Sequence, residues 1–274
     1  MFLYCCNNVK RRKKHEYDFL YQTQASIGFF ILAYIFAWVF TPLIVISPVY
    51  GLPGLFAPAF AALIVSGITG GRHEVIGLLR KLTIWRVNLI WYLVALGLPV
   101  VVSLFIALLG RFFGSDPSLQ FAPITALGLV VFILVIGEEL GWRGYAQIQF
   151  EKKYPTFVAA IILGILWGFW HLPNCFIPGL PHYEVPLLAF IFYTTSLSIL
   201  AAWLMKNTRG SVLIATLFHG ATNTFGFLTP GLEVETRWWL IAIVYTAAAL
   251  VIILGTRVRL QRSLRRSTDN ASVG

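Results

Sequence analysis

The chain has 274 residues, 58% of them hydrophobic and 12% charged, where a soluble domain carries about 25% charged residues. That composition excludes a water-soluble globular domain. The formal net charge of +10 is read as basic residues flanking membrane spans, not as a nucleic-acid surface.

Residues 1–24 form a polar tail with the basic run Lys10-Arg11-Arg12-Lys13-Lys14. The apolar stretch from about Ala25 to Ile46 is too long for a signal-peptide core and lacks a small-x-small cleavage site, so it is expected to be an uncleaved first span. A second span is expected over about Pro53 to Gly70. From Arg72 to Arg86, apolar Ile76, Leu79 and Leu82 alternate with Arg72, Arg80 and Lys81. That spacing suits an amphipathic helix in the membrane interface, with a plain connecting loop as the alternative.

The third span covers about Asn88 to Phe113 and closes at the turn Gly114-Ser115-Asp116-Pro117. The fourth runs from about Phe121 to Gln147, and Glu151-Lys152-Lys153 marks the return to water. The fifth covers about Pro155 to Leu172 and stops at Pro173. The sixth, seventh and eighth cover about Val185–Met205, Ser211–Leu228 and Trp238–Gly255. Residues 257–274 form a basic, then polar, tail expected to be disordered.

The expected fold class is therefore all-α: a polytopic transmembrane helix bundle of about eight spans, with residues 25–256 as its one membrane domain. Eight spans put both termini on one side, with every basic residue except Arg111 and Arg237. By the positive-inside rule that side is the cytoplasm. No internal repeat is evident, which argues against a transporter of two inverted halves. Three cysteines, Cys5, Cys6 and Cys175, give no disulfide framework, and Cys5 and Cys6 are free thiols or lipidation sites.

Glu138, Glu139 and Arg143 interrupt the fourth span. Each charge near the centre of a spanning helix costs roughly 2.5–3.5 kcal/mol on insertion scales, so three in six positions imply a use. Glu139 and Arg143 are four apart, share a helix face and can pair. Glu138 points about 100° away and has no such local partner, which suits a general base or acid. A structural ion pair plus a cavity-lining carboxylate is the plainer alternative.

Of five histidines, only His171 and His219 fall in apolar spans. His15, His73 and His182 are expected to be solvated. Trp167 precedes His171 by one turn and can pack on its ring. His219 and Asn223 share a face, and an imidazole beside a carboxamide suits a developing oxyanion. Gly137-x-x-x-Gly141 and Gly164-x-x-x-Gly168 permit close helix approach, and are expected to bring the fourth and fifth spans together, and with them Glu138 and His171.

Glu138-Glu139-x-x-x-Arg143, Trp167-x-x-x-His171 and His219-x-x-x-Asn223 resemble the ordered motifs of the CAAX protease and bacteriocin-processing family of intramembrane proteases, which includes CAAX prenyl endopeptidases of the Ras-converting type. The likeness covers about Gly137 to Asn223. It departs at Trp167, where the family usually has Phe.

The resemblance implies an intramembrane endopeptidase acting on a membrane-associated protein or peptide, prenylated or not, near the cytoplasmic leaflet. It implies that Glu138 and His171 activate water, His219 and Asn223 stabilise the oxyanion, and Glu139 and Arg143 orient the site. No cofactor is required on that route. Zinc held by Glu138, His171 and His219 is the alternative, since the family is often labelled metalloprotease. A prokaryotic plasma membrane is the expected location. The rival readings are a non-catalytic bacteriocin-immunity or scaffold protein of the same fold and a proton-coupled transporter.

Overall fold

The structure is a computed structural model that describes residues 23–271 except residues 117 and 181, with the side chains of residues 48 and 257–271 left aside. The basic run from Lys10 to Lys14, Cys5, Cys6 and His15 lie outside the described residues. Every regular element among the described residues is helical, with one isolated antiparallel bridge between Phe121 and Phe227.

The chain forms α1 (23–40, continued by a 3-10 turn over Thr41–Val45), α2 (Ala57–Arg80) and α3 (Leu89–Gly110). The fourth apolar run is broken into α4 (Ala126–Leu134), α5 (Ile136–Gly141), a π turn over Trp142–Ala146, and α6 (Gln147–Glu151). The rest is α7 (Thr156–Trp170), α8 (Leu187–Asn207), α9 (Val212–Thr224) and α10 (Val234–Ala271). Among the described residues four segments are long and apolar enough to cross a membrane: Thr23–Val45, Leu89–Phe113, Leu187–Asn207 and Val234–Thr256. Their outward faces carry large apolar side chains, such as Ile31, Ile35, Leu93, Phe105, Val251 and Leu254, which hydrocarbon solvates.

The other passes are shorter or interrupted. At 15 and 13 residues, α7 and α9 measure roughly 22 and 20 Å at ~1.5 Å per residue, less than the ~30 Å hydrocarbon core. α2 runs from the expected second span into the expected interfacial helix. Gly71, at φ 61° and ψ −155°, turns the chain between them. Only glycine adopts that backbone without strain. Beyond it Leu78 is the one buried residue up to Arg80, as an interfacial segment would have it. α10 continues as helix to Ala271, across residues expected to be disordered.

Caps set several helix starts. Asn88, Thr125 and Ser211 accept hydrogen bonds from the backbone N–H groups of Ile90, Gly128 and Ile214 at 3.0, 3.0 and 3.2 Å. α8 is the most enclosed of the long apolar helices, packed between α7 and α10. The glycine pairs act differently from expectation. A Cβ on Gly164 would lie 2.4 Å from Thr195 Cα, and one on Gly168 would lie 2.7 Å from Thr194 Oγ1, so this pair seats α7 on α8. A Cβ on Gly141 would lie 2.4 Å from the Pro58 carbonyl carbon, and Gly137 faces Phe56, so the other pair seats α5 on α2. The two motifs do not face each other.

The basic residues gather at one end. Lys81 Nζ donates to the Gly144 carbonyl, Arg209 donates to the Arg86 carbonyl, and Lys206 pairs with Glu151 at 2.8 Å. Lys153 Nζ donates to Thr23 Oγ1 at 2.6 Å. At the opposite end Ser115 Oγ and the Asp116 N–H donate to the Pro230 carbonyl, and the Ala122 N–H donates to the Gly226 carbonyl.

Candidate active site

α5 is a six-residue helix that starts where α4 breaks at Val135, and it carries Glu138 and Glu139. Both are buried, as are Arg143, His171 and His219. Arg143 lies in the π turn. Such turns widen a helix by one residue and are frequent at functional sites. Arg143 Nε stands 3.2 Å from Glu139 Oε2, an ion pair off the line of a hydrogen bond. His219 Nδ1 stands 3.0 Å from the other oxygen, Glu139 Oε1. Glu139 therefore joins α5 to α9 and sits between a guanidinium and an imidazole. The Arg143 partnership is the expected one. The His219 partnership is not visible in the sequence.

Glu138 turns the other way, as the 100° step requires. Its Oε2 accepts a hydrogen bond from Trp167 Nε1 at 3.0 Å. The same indole packs edge-on to His219 with centroids 5.0 Å apart and lies 5.9 Å from the His171 ring. Arg143 Cζ sits 4.9 Å from its centroid, a cation–π contact. Trp167 thus touches Glu138, Arg143, His171 and His219 together. Sequence reasoning assigned it packing against His171 alone. Its signal was a Trp where the family usually has Phe, which adds an N–H donor to the same aromatic face.

His171 Nδ1 is 3.0 Å from the Trp167 carbonyl, one turn back. A carbonyl only accepts, so Nδ1 carries the proton and Nε2 keeps a lone pair. The ring is held by Trp170, His182 and Phe190 at centroid distances of 4.7, 5.3 and 5.1 Å. His182 was expected in solvent. It instead packs beside His171, and burial pushes its imidazole down to about 4. His73 is exposed, as expected.

Asn223 is exposed on α9, one turn beyond His219. It borders a cavity of about 330 Å³ with Thr222, His182, Tyr193, Arg237 and Trp238. That volume is within the range of ligand sites. The cavity lies at the end of the molecule away from the basic rim, among the last turns of α3 and α9, the first turns of α10 and the extended residues 225–229.

The donor set fits a metal poorly. Among the described residues no three His, Cys, Asp or Glu side chains are grouped to hold an ion. An Nδ1 held by a carbonyl, as in His171, or by Glu139, as in His219, leaves Nε2 open and does not bar a metal, but Asn223 is a weak zinc ligand.

Residues 119–225, the segment that carries all three motifs, match the family described as type II CAAX prenyl endopeptidase Rce1-like. The chain is 31% identical over 188 residues to CAAX prenyl protease 2 of Methanococcus maripaludis, covering 63% of this chain and 69% of that protein. It is 29% identical over 133 residues to lysostaphin resistance protein A of Staphylococcus aureus, covering 48% of this chain but 30% of that longer protein. The chain belongs to the Rce1-like CAAX prenyl endopeptidase family, and is an integral membrane hydrolase of that endopeptidase type.

Proposed function

We propose that this endopeptidase hydrolyses a peptide bond of a membrane-anchored protein or peptide with Glu138 as general base. The observation that carries the reading is the convergence of Glu138, Arg143, His171 and His219 on the Trp167 ring. A water between Glu138 and the His171 Nε2 lone pair gives its proton to the carboxylate as its oxygen adds to the scissile carbonyl. His219 and Asn223 stabilise the resulting oxyanion. Collapse breaks the C–N bond, and the leaving nitrogen takes the proton back from Glu138. Oxyanion stabilisation by His219 needs Nε2–H with Nδ1 held by Glu139, hence an imidazolium, and Glu139 is the counter-ion that form requires. Arg143 keeps Glu139 in place from its other side. Residues 25–256 form the membrane domain.

We further propose that all eight helical passes cross the membrane, with the short and broken ones shielded by the long apolar helices. The basic rim then faces the cytoplasm of a prokaryotic cell, with both termini on that side. The prokaryotic sources of the named relatives support this. In that orientation the cavity beside Asn223 lies toward the outer face. The test is peptide release by purified protein from lipid-tethered peptides, prenylated and unprenylated, with and without a strong chelator. Cleavage that survives chelation supports the glutamate route; loss restored by zinc overturns it. No cleavage of any peptide by folded protein would favour a binding-only role of the same fold.

A further inference from the structure

The cavity beside Asn223 has one charged residue in its wall, Arg237 in the first turns of α10. Every other named wall residue is apolar or neutral and polar. His182 also lines it, but burial holds that imidazole at about 4, so it is neutral at neutral pH. Among the described residues no carboxylate pairs with Arg237. Glu233, one turn earlier, accepts only the Arg237 backbone N–H through its carbonyl. The placement is also unusual. Arg237 is one of two basic residues, with Arg111, at the end of the molecule opposite the basic rim, and Arg111 does not line the cavity.

A guanidinium half-withdrawn from solvent, with no internal counter-ion, bordering the same space as the candidate oxyanion donor, is suited to an anion that arrives with the substrate. Arginine presents a planar fork of donors that matches a carboxylate with two bonds. The Tyr245 hydroxyl of the wall adds a neutral donor, whereas the Thr222 hydroxyl is already given to the His219 carbonyl and Tyr193 bonds to Thr222.

We infer that Arg237 is the anion subsite of this cavity and holds a carboxylate of the peptide substrate on the far side of the scissile bond from its lipid anchor. This rests on the proposed role of Asn223 in oxyanion stabilisation, which puts the substrate peptide beside Asn223 in this cavity. It makes the preferred substrate a short anionic segment at the end of an anchored peptide. The carboxylate is supplied by the free C-terminus or by an acidic side chain near it. Arg237 acts on binding, not on the reacting atoms.

The experiment uses the full-length protein in detergent or vesicles and lipid-anchored peptides in three forms: free C-terminal acid, C-terminal amide, and free acid with all acidic side chains made neutral. Wild type, Arg237→Gln and Arg237→Lys are compared for KM and kcat. In wild type, removing the anchoring carboxylate should raise KM about 10- to 100-fold, the scale of a hydrogen-bonded charge pair, with kcat nearly unchanged. In Arg237→Gln the free acid should show that same penalty, and removing the carboxylate should add nothing. Arg237→Lys should restore part of the affinity. Sensitivity to amidation alone identifies the C-terminus as the source, and sensitivity to side-chain neutralisation alone identifies the acidic residue.

An equal penalty in Arg237→Gln for charged and uncharged peptides would mean a packing role and overturn the inference, as would no change at all. The same comparison made by equilibrium binding to Glu138→Gln protein needs no turnover. It separates failure of the anion subsite from failure of the proteolytic reading. Failure of every peptide form to bind there would also overturn the subsite.

Discussion

The indole N–H of Trp167 donates to Glu138 Oε2 across 3.0 Å, joining α7 to α5 at the candidate general base. A carboxylate in an apolar bundle rotates freely unless something fixes it, and a base must point at its water to be useful. Trp167→Phe keeps an aromatic ring beside His171 and His219 and removes the donor, at the cost of some ring area against Arg143. Because hydrogen bonds to charged groups contribute about 1.5–3 kcal/mol, kcat should fall about 10- to 100-fold while KM holds. Steady-state kinetics on one peptide checks this, and an unchanged kcat would leave the N–H without a role in positioning.

Arg143 and Glu139 form a fully enclosed ion pair. Removing Arg143 leaves the buried Glu139 with only His219 beside it, and breaking such a pair costs up to about 3–5 kcal/mol. Arg143→Ala should therefore lower thermal stability sharply. The double variant Arg143→Ala with Glu139→Gln should recover much of it, because neither charge remains. Thermal unfolding of the purified proteins reads both.

Gly141 and Gly97 are both helical glycines in different surroundings. A Cβ on Gly141 would meet the Pro58 backbone at 2.4 Å, whereas one on Gly97 would meet nothing within 4 Å. Gly141→Ala should cost about 1–3 kcal/mol as an overpacked contact, and more if α2 cannot shift. Gly97→Ala should be neutral or slightly stabilising. Equal unfolding temperatures for the two variants would contradict the seating of α5 on α2.

His182 carries a pH dependence. Its imidazole is held down to about 4 in the folded protein against an ordinary value of 6.5. Between those values the unfolded chain takes up a proton that the folded chain refuses, so stability should fall as pH drops from about 6.5 to about 4 and flatten below. The ceiling is about 3 kcal/mol at 1.36 kcal/mol per pKa unit, and less in practice because the ring keeps some solvent contact. Unfolding temperatures across that range for wild type and His182→Gln test it. The substitution should flatten the slope.

Local rules made part of this site readable in the sequence. Two carboxylates and an arginine in an apolar run announced themselves by insertion cost, and the Glu139–Arg143 pair followed from helical spacing. The order of the helices followed from apolar length. The rest depends on contacts between distant residues. Glu138 meets Trp167 from another helix, and Glu139 meets His219 eighty positions along the chain. The glycine pairs advertised close approach without saying to what: Gly141 chose Pro58, and Gly164 chose Thr195. His182 looked solvated because its loop is rich in proline and glycine, yet the loop folds it onto His171. The break at Val135 and the π turn holding Arg143 carry no proline to mark them.

The most direct test of the account is single-turnover cleavage of one lipid-anchored peptide by wild type and Glu138→Gln, with folding of both verified by thermal unfolding. Glu138→Gln keeps the shape and the acceptor facing Trp167 but cannot take a proton. The account predicts cleavage by wild type and at least a 100-fold slower reaction by the variant, the scale of general base catalysis. Cleavage by Glu138→Gln at the wild-type rate would contradict it.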